Sequence, residues 1–282
     1  MRLPYRPPFT TGPMARAIAA HAVPGLEVAH HGAEHTRVVH APGGPAVVRV
    51  VLDAAPGVVS CDVRAADPDD VPHVVGMVRG WLDLDADPAE VAAAFGADPV
   101  LAPLVAARPG LRILGSVDGF ETAALAILGQ QVSLAAARTF AGRLVAAFGT
   151  PAPEGMTAFP EPADLAAAGP EAIRAAVGVT GARARSLHGF AEAAAAGLDL
   201  GPGADRAATR SALLALPGIG PWTADYVALR ALGDRDAFPS GDLVLRRALG
   251  GVTARGAALM AEAWRPWRAY AAIHLWTREV FS

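Results

Sequence analysis

Leu216-Pro-Gly-Ile-Gly220, followed directly by Pro221-Trp-Thr-Ala-Asp-Tyr226, is the stretch from which the fold can be worked out. The apolar segment that ends at Leu216 is typical of a helix, and Pro217 stops it because proline lacks an N–H and clashes with the preceding turn. Two glycines two residues apart permit a tight turn, and Pro221 suits the first position of a second helix. The pattern predicts two helices joined by a short hairpin.

The hairpin has the properties of an anion site. Backbone N–H groups at the start of the second helix lack helical partners, and glycine lets a phosphate approach them closely. At the end of the first helix, the carbonyl groups of Leu214, Leu216 and Ile219 are candidate ligands for a structural Na⁺ or K⁺ that would assist the phosphate contact. A plain corner between two helices, with glycine there for steric reasons, is the alternative that the hairpin alone leaves open.

A second signal is the segment Asp236-Ala-Phe-Pro-Ser-Gly-Asp242, which precedes a helix predicted over residues 243–249. Asp242 would lie at the N-terminus of that helix, where backbone amides and the helix dipole favour a carboxylate. An Asp at this position is also the ordinary N-cap choice, so a purely structural role is the alternative.

Composition excludes several kinds of chemistry. All 24 basic residues are Arg, so no lysine side chain can form a Schiff base. Cys61 is the only cysteine, which excludes an intramolecular disulfide, a Cys-ligated zinc site and a four-cysteine iron–sulfur cluster. The eight His residues show no metal-ligand spacing, so no cofactor is expected beyond the monovalent cation. A net charge of −3 gives no whole-chain support for a nucleic-acid partner.

The secondary-structure pattern changes along the chain. β-branched, partly alternating segments at residues 36–40, 46–52 and 58–64 predict a small antiparallel sheet. From Pro68 onward the spacing is helical, with Asp118-Gly-Phe-Glu121 as a capping box and helices expected over about 163–177, 182–196 and 205–215. The predicted fold class is α+β with a dominant helical part. No apolar run is long enough to span a membrane, and the N-terminus lacks a signal-peptide pattern, so a cytoplasmic location is expected.

The hairpin and the Gly-Asp-Leu at 241–243 together resemble the helix-hairpin-helix DNA glycosylase superfamily, and in particular its 3-methyladenine DNA glycosylase II (AlkA-type) family. The further segments that carry this resemblance extend over nearly the whole chain: Tyr5–Phe9, Ala107–Arg112, Asp118–Glu121, Ala126–Gln130 with Val132-Ser133, Trp264–Tyr270 and His274–Trp276. The resemblance implies a TATA-binding-protein-like β domain followed by two helical domains. We expect these at residues 1–85, at 117–234 with the hairpin, and at 86–116 plus 235–282 with Asp242.

The resemblance also implies roles for individual residues. Asp242 becomes the catalytic carboxylate, and the aromatic lining of a base pocket and the amides that bind a DNA phosphate follow from the same motifs. The pocket residues are Trp222, Tyr226 and Trp276, and the phosphate-binding residues are Gly218, Gly220 and Thr223. An intercalating leucine of the family is replaced here by Gln131, a polar wedge. Aromatic residues that the family can carry on its first helix are missing from residues 10–17, which predicts a roomier pocket.

The function that these features predict is hydrolysis of the N-glycosidic bond of alkylated purines, by a DNA-repair glycosylase without lyase activity. Relatives that also cleave the strand place a lysine where this chain has Trp222, so water is the expected nucleophile. Asp225, Asp234 and Asp236 are interpreted as helix-face or loop charges. Two alternatives remain: a glycosylase of the same fold for deaminated or oxidised bases, and a non-catalytic binder of DNA structure. The expected partner is double-stranded DNA with damaged bases, bound by a monomer at the bacterial nucleoid.

Overall fold

The computed structural model describes residues 1–280. A five-stranded antiparallel sheet with the order β1-β5-β4-β3-β2 forms the N-terminal part. Its strands are β1 (Arg2–Pro4), β2 (Glu27–Ala29), β3 (Glu34–Ala41), β4 (Gly44–Ala55) and β5 (Val58–Arg64). The three long strands confirm the sequence-based prediction. The two edge strands were not predicted, because three residues are too few for an alternating pattern.

Helices form the rest of the chain and also fill the connection between β1 and β2. Their bounds are α1 (Thr11–His21), α2 (Val71–Trp81), α3 (Pro88–Phe95), α4 (Ala102–Ala107), α5 (Gly119–Gly129), α6 (Leu134–Phe148), α7 (Pro162–Val177), α8 (Gly181–Ala195), α9 (Arg206–Ala215), α10 (Pro221–Arg230), α11 (Leu243–Ala248), α12 (Ala254–Ala261) and α13 (Arg268–Val280). The predicted α+β class is confirmed. α7 departs from the single predicted helix, since Gly169 breaks it with a φ of 78° directly before Pro170.

Local capping rules account for most of the helix starts. The side chain of Asp118 accepts the Glu121 N–H at 2.7 Å, and that of Ser133 accepts the Ala136 N–H at 3.2 Å. The predicted capping box is wrong in its second half: the Asp118 N–H donates to Ser116 Oγ at 3.1 Å and not to Glu121. The Glu121 carboxylate has a long-range partner on the sheet.

That partner is Arg37 on β3, which is buried where the sheet meets α5. Arg37 Nη2 donates to both carboxylate oxygens of Glu121, at 2.7 and 2.9 Å, and Arg37 Nη1 lies 3.1 Å from Glu27 Oε1. The guanidinium also lies 5.5 Å from the centre of the Trp81 ring. One buried cation thus serves two buried carboxylates and joins the β domain to the helices.

The two carboxylates respond differently to this shared cation. Burial raises the pKa of Glu121 to about 7, with Arg37 opposing the rise and the negative charge of Glu27 adding to it. Burial acts on Glu27 in the same sense, but Arg37 and then His35 outweigh it, so the pKa of Glu27 is lowered. Arg37 and His35 together outweigh the effect of burial on the pKa of Glu27, whereas Arg37 offsets only part of that effect for Glu121.

The C-terminal helices pack together around the segment that carries Asp242. α13 packs against α11 and against α4, while α10 packs against α5 and α9. The domain expected at residues 86–116 plus 235–282 stays a prediction. Phe238 and Trp264 are buried, and Trp267 is partly buried against the core. No helix within residues 1–280 has the length and apolar character needed to cross a membrane.

The pH dependence of stability should expose the role of Glu121. Its pKa is higher in the folded chain than in the unfolded chain, so its contribution to stability decreases as the pH rises from about 4.5 to about 7. Relative to the parent, Glu121→Gln should therefore become less destabilising between about pH 5 and pH 8, by on the order of 3 kcal/mol at most. Urea unfolding at several pH values measures this difference.

Glu27→Gln is the matched control, because the pKa of Glu27 is shifted in the opposite direction. Its destabilisation should grow as the pH rises, since the ionised carboxylate then contributes fully in the parent. Parallel trends for the two variants would contradict this account of the shared cation.

Candidate active site

Asp242 is the N-cap of α11, as the sequence predicts. Its Oδ1 accepts the backbone N–H groups of Val244 and Leu245, both at 2.9 Å. Asp236 holds the preceding loop, because its carboxylate accepts hydrogen bonds from Arg268 Nε at 2.8 Å and from Arg268 Nη2 at 2.9 Å. Because Arg268 begins α13, the loop before Asp242 is fixed to the helix that also carries Trp276.

Two indole groups complete the surroundings of the Asp242 carboxylate. Trp222 Nε1 donates to Oδ2 at 2.8 Å, and Trp276 Nε1 donates to Oδ1 at 3.0 Å. With the two backbone groups of α11, four N–H donors converge on one side chain. All four groups donate, and the Asp242 carboxylate accepts, which is the arrangement expected around a carboxylate. An ordinary N-cap needs no indoles, so the arrangement exceeds what capping requires.

The three predicted pocket aromatics lie together beside this carboxylate. Trp222 and Tyr226, four residues apart on α10, stack with ring centres 5.2 Å apart and an interplanar angle of 16°. Trp276 on α13 lies 6.3 Å from Tyr226 at 60°. All three side chains are partly exposed, so they form a wall and not a core.

Arg230 belongs to the same wall and was not singled out from the sequence. Its guanidinium carbon lies 5.5 Å from the Tyr226 ring centre and 5.6 Å from that of Trp276. Nη1 donates to the Leu114 carbonyl at 2.5 Å, while the buried Nε has no hydrogen-bond partner. The sequence feature that could have identified Arg230 is its spacing, since it follows Tyr226 by one helical turn and so lies on the same helix face.

The hairpin joins α9 to α10 as predicted, and its two glycines serve different needs. Gly218 has a φ of +84°, and a Cβ there would lie 2.0 Å from Ser186 Oγ, so only glycine fits. Gly220 has an extended backbone with φ −102° and no atom within 4 Å of the place of a Cβ. The protein itself therefore does not require glycine at residue 220. Thr223 follows, buried, in the first turn of α10.

The predicted wedge and the predicted cation ligands lie in or beside the hairpin. Gln131 lies in the turn between α5 and α6 with an exposed side chain and a φ of +56°. For the predicted cation, the Leu216 carbonyl accepts only the Ile219 N–H, at 3.2 Å, which leaves a lone pair for a ligand bond. Neutral carbonyl oxygens at Leu214, Leu216 and Ile219 suit a monovalent ion, and the cation stays a prediction. Within residues 1–280, His, Cys, Asp and Glu side chains form no cluster able to hold a metal.

Family models match most of the chain in two parts. Residues 1–118 match the AlkA N-terminal domain, and residues 124–268 match the HhH-GPD superfamily base excision DNA repair protein model. A probable bifunctional transcriptional activator/DNA repair enzyme AlkA of Mycobacterium tuberculosis is 43% identical over 98% of this chain, which spans only 56% of that relative. DNA-3-methyladenine glycosylase 2 of Escherichia coli is 34% identical over 98% of this chain and 96% of its own length.

Solved structures agree on the fold. A 3-methyladenine DNA-glycosylase from Archaeoglobus fulgidus superposes with a TM-score of 0.87 over 100% of this chain and 98% of its own, at 22% identity. An 8-oxoguanine glycosylase/lyase of Clostridium acetobutylicum, in complex with double-stranded DNA, gives a TM-score of 0.72 at 18% identity, over 90% of this chain and 88% of its own. From the sequence relatives and the family models, the chain belongs to the HhH-GPD superfamily of base excision DNA repair proteins, in its AlkA-type branch.

Proposed function

We propose that the chain is a monofunctional DNA glycosylase that hydrolyses the N-glycosidic bond of alkylated purines, of the 3-methyladenine and 7-methylguanine type. The observation that carries this proposal is the Asp242 carboxylate, held by two indole donors in an aromatic wall. The Escherichia coli relative, named for the 3-methyladenine activity, supports the same substrate class. A binder of DNA structure would have no use for this constellation.

In the proposed reaction, Asp242 acts by electrostatics. Cleavage of the bond leaves an oxocarbenium-like sugar, which an ionised carboxylate stabilises. Three of the four N–H donors reach Oδ1 and only the Trp222 indole reaches Oδ2, so Oδ2 keeps a lone pair that can accept a proton from water. Deprotonation of the water is therefore a second role open to the same carboxylate. Water is the nucleophile, since Trp222 stands where lyases of the superfamily have lysine.

The aromatic wall supplies binding of the extruded base. Rotating a base out of the duplex costs a few kcal/mol, less when the base is damaged. Stacking of the base on Trp222, Tyr226 and Trp276 offsets part of this cost. The positive charge of a cationic alkylpurine adds roughly 0.5–2 kcal/mol of binding free energy per ring. Arg230 acts against this last gain, because its own positive charge lies against two of the rings.

This charge favours one second candidate, a glycosylase of the same fold that acts on deaminated, neutral purines. A neutral base is not repelled by the Arg230 guanidinium, which lies against the Tyr226 and Trp276 rings. Both candidates share Asp242 and the wall, so they differ in substrate and not in mechanism.

The hairpin is the proposed DNA-backbone contact. Gly220 and the first amides of α10, with Thr223, would bind a phosphate, and Gln131 would enter the space left by the extruded base. A net charge of −3 predicts modest affinity for DNA. We expect the chain to act as a monomer on damaged duplex DNA, at the nucleoid in the cytoplasm.

Replacing the carboxylate tests the central assignment. Asp242→Asn should lower the release of free bases from dimethylsulfate-treated DNA by about 100-fold or more, while affinity for damaged duplex changes little. Chromatography of the released bases and a binding titration measure the two effects. Asp225→Asn is the control, since Asp225 lies on α10 but pairs with Arg210 at 3.0 Å. Full activity in Asp242→Asn would refute the proposal.

The two glycines of the hairpin separate folding from DNA binding. Gly220→Ala should leave thermal unfolding unchanged, because a Cβ meets no atom of the protein, yet weaken duplex binding about five- to thirtyfold by obstructing a phosphate. Gly218→Ala should instead impair folding, because of its φ and of Ser186. Gly189→Ala, which also meets open space, is the control for binding. Normal binding by Gly220→Ala would place the phosphate elsewhere.

Substrate preference should depend on Arg230. Arg230→Met removes one positive charge from the wall, so the release of cationic 7-methylguanine should rise relative to that of neutral hypoxanthine, by about three- to tenfold. Single-turnover rates on the two substrates give this ratio. Arg230→Lys keeps the charge and should keep the ratio. An equal fall in both rates for Arg230→Met would mean that Arg230 only supports the fold.

A further inference from the structure

Gln130 ends α5 and connects the Gln131 turn to the hairpin. Its Nε2 donates to the Gly218 carbonyl at 3.0 Å and to Thr223 Oγ1 at 3.1 Å. Its own backbone carbonyl accepts a hydrogen bond from Arg183 on α8. Both hydrogens of the side-chain amide are thus used on the hairpin, and the backbone is held from a second side.

The residue that follows is the one in a strained conformation. Gln131 has a φ of +56°, in the left-handed region that non-glycine residues rarely adopt, and its side chain is exposed. Such a conformation persists only where its surroundings determine it. Among the described hydrogen bonds, none from Gln131 holds this conformation. The neighbouring Gln130, in contrast, is hydrogen-bonded to the hairpin and to α8.

We propose that Gln130 is a positioning residue that fixes the Gln131 turn relative to the hairpin, so that phosphate binding and base extrusion occur at a set offset along the DNA. The proposal rests on the proposed function, and in particular on Gln131 as the wedge. When the hairpin binds a phosphate, the bonds from Gln130 to Gly218 and Thr223 place the wedge beside the base to be extruded.

Gln130→Glu is the sharpest substitution, because it keeps size and shape but removes the N–H donors. A carboxylate can still accept from the Thr223 hydroxyl, yet it repels the Gly218 carbonyl. Gln130→Met, which has neither charge nor donor, is the second variant should the first fail to fold. Gln131→Ala removes the wedge itself and provides the expected pattern for comparison.

The substrates differ only in the work of extrusion. An oligonucleotide with a single guanine is methylated with dimethylsulfate and annealed either opposite cytosine or to a strand one nucleotide shorter, which leaves the lesion in a bulge. For Gln130→Glu we expect release of 7-methylguanine from the paired duplex to fall on the order of tenfold, and from the bulge less than about threefold, because the bulged base is already unpaired. Affinity for undamaged duplex should stay within about threefold of the parent.

A second readout does not depend on excision. The fluorescence of a 2-aminopurine placed next to the lesion increases when the lesion base leaves the stack. At saturating protein, we expect this fluorescence increase to be smaller for Gln130→Glu and Gln131→Ala than for the parent. Equal loss on paired and bulged substrates, or an unchanged fluorescence increase, would overturn the positioning role. If the parent chain released no base from either substrate, the proposed function would fail instead, and the fluorescence comparison would still decide on Gln130.

Discussion

The carboxylate of Asp242 is the point at which three separate helices meet. Its hydrogen bonds come from α11 through the backbone and from α10 and α13 through Trp222 and Trp276. Each indole therefore has two functions, since the same ring that forms the wall also holds the carboxylate. A shift of α13 would move the ring and the charge together, and the Asp236–Arg268 contact explains why α13 and the loop before Asp242 keep a common position. In the proposed reaction this rigidity is what places a negative charge beside the sugar without reorganisation.

Local charges matter more in this protein than its net charge of −3. Arg37 is buried with Glu27 and Glu121 where the sheet meets the helices, and Arg230 lies against the rings of the wall. Arg37 is buried, so its charge interactions are strongly enhanced, and Arg230 acts over a few ångströms on the rings that it contacts. Arg37 supports the docking of the β domain, whereas Arg230, under the proposed function, adjusts which bases the wall binds. Neither effect can be read from composition, which averages over the whole surface.

Features governed by short-range rules could be predicted from the sequence. Pro217, Gly218 and Pro221 predict the hairpin, and the N-cap preference of Asp places Asp242 correctly. The contacts that distinguish Asp242 from an ordinary cap could not be derived from local rules, because Trp222 and Trp276 are 20 and 34 residues away in the chain. Glu121 fails as a capping-box residue for the same reason, since a buried arginine 84 residues away outweighs a nearby backbone N–H. The resemblance to the family brought the pocket residues together where spacing alone could not.

The proposed chemistry and the wall lead to the same expectation for lesion choice. In the proposed reaction the Asp242 carboxylate, held in place by four N–H donors, contributes a fixed field that accelerates bond breaking for any sugar placed beside it. Aromatic faces bind purines with little regard to their hydrogen-bonding edges, and Arg230 weakens the advantage of a cationic base. Selection must then come mainly from how easily a base leaves the duplex and how labile its bond is. Both quantities belong to the damaged DNA, so under the proposed function we expect lesion choice to depend on ease of extrusion and on bond lability more than on recognition in the pocket.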